Sequence, residues 1–199
     1  MTTRMIKITS LSLMLWLFMT IPTSAQPENE EVLDLTGRPL ESGRKYYIRS
    51  DVSDFGGRIT LVNKNGSCPL YVGQETTDFG QGLSVILTPL ENDDTVVKVN
   101  RDFKVKFSSS SSCGQSTEWK LGDRDNRSGR RLIIAGSDGN SFRILKISFG
   151  IEGVIGNYNI RFCPSDTVNC GTVGNLRENG KILLALDDRN VLRVGFERA

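Results

Sequence analysis

The chain has 199 residues, 38% of them hydrophobic and 24% charged, with 25 Lys+Arg set against 23 Asp+Glu. It contains no histidine, which removes Ser-His-Asp and Cys-His nucleophile systems and every histidine-ligated metal site. The near-even charge balance also excludes the basic excess that a non-specific nucleic-acid or anionic-membrane binder needs.

Residues 1–25 read as a signal peptide. Arg4 and Lys7 give a positive start, Leu11 to Met19 an apolar run, and Thr23-Ser24-Ala25 the small residues of a cleavage site. The run is shorter than the ~20 apolar residues of a spanning helix. The mature chain therefore begins near Gln26 and is expected to be secreted, to the extracellular space or cell wall, with the vacuole as another destination. Without Arg4 and Lys7 the basic residues fall from 25 to 23, equal to the 23 acidic ones. Residues 26–199 are enough for one well-buried core and few for two, and are expected to form a single monomeric domain.

From Lys45 onward, hydrophobic periodicity of two recurs and no window sustains a helical pattern. The predicted strands are 45–49, 58–62, 69–73, 83–88, 95–99 and 103–107, then 117–121, 131–136, 142–147, 158–163, 181–186 and 191–196, with 172–176 as a further one. Turn signals such as FGG, NKNG, GSDGN, ENGK and DDRN separate them. A dozen short strands imply an all-β antiparallel sandwich or closed barrel, and periodicity does not choose between the two. The five serines from Ser108 to Ser112 have the composition of a flexible connection.

Four cysteines in a secreted chain imply two disulfides, with three possible pairings. Cys163 and Cys170 flank PSDTVN and suit a local bridge, leaving Cys68 and Cys113 to close a long loop. Chain entropy assigns about 2.5 kcal/mol to the short bridge and about 4 kcal/mol to the long one. Asn65-Gly66-Ser67 and Asn126-Arg127-Ser128 have the form of N-glycosylation acceptors. Arg124, Arg127, Arg130 and Arg131 are interrupted by Asp123 and Asp125 and read as a solvated hairpin tip. Adjacent acids such as Asp187-Asp188 or Glu30-Glu31 are expected by chance among 23 acidic residues. No glycine-rich phosphate loop joins a strand to a helix. The expected protein is not an enzyme, holds no metal or cofactor, and acts by binding.

VLDLTGRPLESGRKYYI, from Val32 to Ile48, closely resembles the N-terminal signature of the plant Kunitz family, the soybean-trypsin-inhibitor type. FGGRITL (55–61), CPLYVGQ (68–74), GLSV (82–85), STEWKL (116–121), YNIRFCP (158–164), CGTVG (170–174), KILLAL (181–186) and VLRVGFE (191–197) follow in family order. The resemblance implies a β-trefoil of about twelve strands, six closing a barrel and six capping it, with the pairings Cys68–Cys113 and Cys163–Cys170. Trefoil lectins share that fold, but their repeated Gln-x-Trp elements are missing: Trp119 sits in TEW, and Trp16 belongs to the leader. The family also includes tetrapyrrole-binding and storage-type members, so fold alone does not establish inhibition.

The resemblance further implies one exposed loop that mimics substrate and fills a protease active site, lying between the first two cysteines. Counting from Cys68 puts its primary specificity residue at Asn92, and counting back from Phe107 with one inserted residue puts it at Asp93. Both fall in LENDDTV, where Leu90, Glu91, Asn92, Asp93 and Asp94 form the candidate reactive loop. The family's loop-bracing Asn corresponds to Ser42, a shorter side chain with fewer hydrogen bonds to give. A trypsin-type pocket ends in a carboxylate that selects Arg or Lys, so an acidic loop predicts poor trypsin inhibition. The implied partner is an endopeptidase of the serine or cysteine class. The readings are a loop for a protease that accepts Asn or Asp (or Leu90 in a shifted register), inhibition through another loop such as 124–131, and a non-inhibitory protein in storage or stress defence or binding a tetrapyrrole-like ligand near CPLYV (68–72). Lys98 falls in the VVKV alternation, outward on a strand rather than at a loop apex.

Overall fold

The period-two segments pair into antiparallel strands in a computed structural model that describes residues 30–50, 56–147, 158–164 and 170–199. The leader, residues 1–25, lies outside the described residues. The strands are β1 (Lys45–Ser50), β2 (Ile59–Val62), β3 (Tyr71–Gln74), β4 (Val85–Pro89), β5 (Asp102–Phe107), β6 (Glu118–Arg124), β7 (Arg131–Gly136), β8 (Phe142–Lys146), β9 (Tyr158–Phe162), β10 (Gly171–Glu178), β11 (Lys181–Leu186) and β12 (Arg193–Arg198).

Six of them close a ring. β1 pairs with β4, β4 with β5, β5 with β8, β8 with β9, β9 with β12, and β12 returns to β1. The other six form the hairpins β2–β3, β6–β7 and β10–β11. These meet in a triangle through Tyr71↔Ile134, Leu132↔Ala185 and Gln74↔Ile182. A six-stranded barrel capped by three hairpins is a β-trefoil, the closed alternative that periodicity left open.

Burial follows directly from this arrangement. Barrel strands alternate: in β5, Phe103, Val105 and Phe107 point inward while Lys106 is exposed. In β11 the run from Ile182 to Ala185 is buried throughout, because a cap strand is covered on both faces. Trp119 fills the centre, 6.2 Å from the Phe107 ring and 5.9 Å from that of Phe142, with its Nε1 buried and without a hydrogen-bond partner among the described residues. The disulfides are Cys68–Cys113 and Cys163–Cys170. Lys64 in the β2–β3 hairpin reaches Asp125 at 2.6 Å and Glu178 at 3.3 Å, and Arg127 reaches Glu178 at 3.2 Å, so ion pairs join all three hairpins.

One predicted strand takes a different form. Residues 95–99 keep their alternation, with Val97 and Val99 buried and Lys98 between them, but make only the bridges Glu41↔Val96 and Glu31↔Lys98. Their backbone partners lie in the N-terminal segment: Val32 N donates to Val97 O at 2.9 Å, Val97 N to Leu40 O at 2.8 Å, and Val99 N to Glu30 O at 2.7 Å. That segment curls too tightly for a ladder, because Asp34 turns it. Asp34 Oδ1 accepts from Thr36 N, Thr36 Oγ1 and Arg38 N, and Oδ2 from Arg198 Nε at 2.5 Å. Burial raises the pKa of Asp34, but these hydrogen bonds outweigh it and hold the carboxyl at about 2.

Candidate protease-facing loop

β4 ends at Pro89 and β5 begins at Asp102, so residues 90–101 leave the barrel rim and return to it. Leu90 N donates to Asp102 O at 3.0 Å, closing the base. Asp94 N donates to Glu91 O at 3.1 Å, which makes a β-turn with Asn92 and Asp93 at its centre. Both are exposed, and Leu90 is 45% exposed. Beyond the turn, Ser42 N donates to Thr95 O at 2.8 Å, and residues 96–99 settle against the N-terminal segment. Asn100 then adopts φ 59° and donates its N–H to Ile144 O at 2.8 Å, which turns the chain into β5. Asn is one of the few side chains at ease in that left-handed region.

Charge closes the loop on itself. Glu91 pairs with Arg101 across its base. Asp94 pairs with Lys98, with the Asp94 side chain 8% exposed and that of Lys98 25%. Arg143 grips Asp102 through both oxygens, at 2.7 and 3.2 Å. Lys98 and Arg101 are thus paired with the loop's own carboxylates and Arg143 with the first residue of β5, and Asp93 forms no ion pair with any described residue.

The predicted site residues do not all play one part. Asn92 and Asp93 form the apex, Leu90 and Glu91 its leading side, and Asp94 a brace turned inward. Ser42 meets the loop through its backbone N–H, and its hydroxyl bonds none of the described residues. The two braces escaped the sequence reading, although acid and base four apart (Asp94, Lys98) were visible. Lys98 faces outward as expected but is spent on Asp94. In the 124–131 segment each arginine is engaged: Arg124 with Gly129 O, Arg127 with Glu178, Arg130 with Asp187 and Arg131 with Gly122 O. Asn65 and Asn126 are exposed in the turns of two cap hairpins, β2–β3 and β6–β7.

Residues 32–198 match the legume Kunitz family, described as trypsin and protease inhibitors. The chain belongs to the legume Kunitz family. It is 49% identical over 185 residues to Kunitz type trypsin inhibitor 106 of Medicago truncatula, covering 86% of each chain. A Kunitz type trypsin inhibitor from Cicer arietinum superposes with a TM-score of 0.76 at 26% identity, over 85% of this chain and 99% of that one. Soybean trypsin inhibitor, in its complex with porcine pancreatic trypsin, superposes with a TM-score of 0.71 at 29% identity, over 85% and 99%.

Proposed function

We propose that this protein is a secreted endopeptidase inhibitor that works through residues 90–95 and acts poorly on trypsin, its target being a protease whose pocket accepts Asn or Asp. The supporting observation is the apex itself, Asn92-Asp93, raised on a braced loop, with Asp93 in no ion pair among the described residues. A trypsin-type pocket selects Arg or Lys with a buried carboxylate. Asp93 there sets one desolvated negative charge against another, costing several kcal/mol, and each 1.4 kcal/mol forfeits about tenfold in affinity. Asn92 avoids the repulsion but leaves the pocket carboxylate without its cation.

A pocket built for a carboxamide or an acid reverses that balance. Asn92 offers both donors and an acceptor at the end of a short stem, and Asp93 a carboxylate. Entry as an extended strand requires the Glu91–Asp94 turn to open, a loss of about 1 kcal/mol for one hydrogen bond. The ion pairs at the base and the Ser42–Thr95 bond hold the flanks meanwhile, so little ordering entropy is lost on contact.

The test is an inhibition panel on the purified protein with asparagine-specific, acid-specific, papain-type and trypsin-type endopeptidases. Inhibition of an asparagine- or acid-specific enzyme, abolished in the double variant Asn92→Ala/Asp93→Ala, is the expected result. Full inhibition by that variant rules the loop out, and no inhibition across the panel rules out the inhibitory reading.

A further inference from the structure

At the other end of β4 stands a second protruding loop, residues 75–82, between β3 and β4. Its Phe79 is 97% exposed, whereas Leu33 and Leu90, the other exposed large apolar residues among those described, are 40% and 45% exposed. The loop is held firmly beneath it. Gly57 N donates to Glu75 O at 2.8 Å, Glu75 N to Arg58 O at 3.0 Å, and Arg58 Nη1 to Gln81 O at 3.2 Å. Arg58 is itself fixed by both Glu197 oxygens, at 3.0 and 2.9 Å, and by the Tyr47 ring 4.2 Å below.

Three glycines allow this closeness. A Cβ on Gly57 would lie 2.2 Å from Thr77 O, one on Gly80 2.3 Å from the Glu75 side chain, and one on Gly82 2.4 Å from Arg58 Cβ. Gly80 N donates to Thr77 O at 3.1 Å, so Asp78 and Phe79 are the centre of a β-turn. A loop clamped along its length lifts one aromatic ring wholly into water.

We propose that loop 75–82 is a second docking surface, with Phe79 as its anchor and a chymotrypsin-class serine protease as its partner. Such an enzyme has an apolar slot for an aromatic side chain. The surroundings favour a deep narrow slot over broader apolar partners. Phe79 is flanked by Thr76, Thr77, Asp78 and Gln81, all exposed and polar, so the apolar feature is one ring wide. An anionic bilayer is disfavoured, since Glu75 and Asp78 give the loop two negative charges and no cation. A second copy of this chain is disfavoured too: two clefts among the described residues, one lined by Leu90, Glu91, Arg101, Asp102 and Arg143 and one by Arg189, Asn190, Val191, Leu192 and Arg193, each carry two or more charged side chains where a phenyl ring would sit.

Opening the Thr77–Gly80 turn into an extended substrate strand would strain the Gly57–Glu75, Glu75–Arg58 and Arg58–Gln81 bonds beneath it as well, so the loop keeps its turn. Phe79 therefore enters the slot as an anchor, and the Phe79–Gly80 bond is not presented for cleavage. The five residues of β4 put about 17 Å between this loop and loop 90–95, so the two surfaces are separate. The proposal shares with the inhibitory reading only the assumption that proteases are the targets.

The test is calorimetric titration of the purified full protein with α-chymotrypsin, and with α-chymotrypsin whose pocket is filled by an aromatic chloromethyl ketone. Binding to the free enzyme, none to the filled one, a loss of about thirtyfold or more in Phe79→Ala, and retention in Phe79→Tyr are expected. The Phe79→Ala melting temperature and its inhibition of an asparagine-specific protease should not change, since the ring touches little of its own protein. Absence of binding, equal binding by Phe79→Ala, equal binding to the filled enzyme, or cleavage at Phe79–Gly80 overturns the proposal. No inhibition by the unaltered protein across the protease panel other than through chymotrypsin binding at Phe79 would sink the other reading and leave this one standing.

Discussion

Replacing Asp34 by Asn should weaken the whole molecule and loosen the flank of the candidate inhibitory loop. Asp34 is 6% exposed and carries the turn that lays residues 30–41 against 95–99. Its pKa falls from 3.8 to about 2 on folding, which corresponds to about 2 kcal/mol of stability in the ionised form. The amide forfeits that and sets its NH2 or carbonyl against the Arg198 guanidinium, for a total of about 2–4 kcal/mol. At this chain size the melting temperature should drop by roughly 5–15 °C. The sign of the pH dependence follows from the depressed folded pKa: the stabilisation is fully present above about pH 4 and is lost as pH falls towards 2. Calorimetric melts of both proteins at pH 7 and pH 2 check this, with the gap between them shrinking at pH 2. An equal gap at both pH values, or no gap at pH 7, would refute the role given to Asp34.

Lys64→Ala should cost about 2–3 kcal/mol at pH 7, because it takes the bridging cation from the partly buried Asp125 and Glu178 and leaves Glu178 its exposed partner Arg127. Asp125 is held well below the usual carboxylate range, first by its hydrogen bond from Lys64, so this deficit too should shrink in melts taken below pH 4. Replacing Cys68 and Cys113 by Ala removes a bridge spanning 45 residues and should lower stability by about 4 kcal/mol in urea unfolding, against about 2.5 kcal/mol for the Cys163/Cys170 pair. Trp119→Ala should cost about 3–5 kcal/mol in the same assay, since the indole is fully buried among Phe107 and Phe142.

Strand content was legible wherever a strand has one buried face, as in β5 and β9, because alternation records that directly. The ring closure was not, since β12 returning to β1 joins residues at opposite ends of the chain. It entered only through the family resemblance carried by VLDLTGRPLESGRKYYI and its companions. Residues 95–99 alternate like a strand because Val97 and Val99 do face the core. Their partner is the segment bent by Asp34, and the Asp34–Arg198 pair spans too much sequence to leave a local signature. At the candidate site, LENDDTV gave position and charge but not division of labour. Asp93 and Asp94 look alike in sequence, and only the fold shows that one projects while the other turns back to Lys98. Phe79 gave no signal, because a single aromatic in a polar loop reads the same whether it is buried or bare.

The most direct measurement is the inhibition constant against trypsin for the unaltered protein and for Asp93→Arg and Asn92→Arg. No inhibition tighter than about 1 μM by the unaltered protein, with a gain of about a hundredfold or more in at least one arginine variant, is the predicted result. Trypsin inhibition at about 1 nM by the unaltered protein would contradict it.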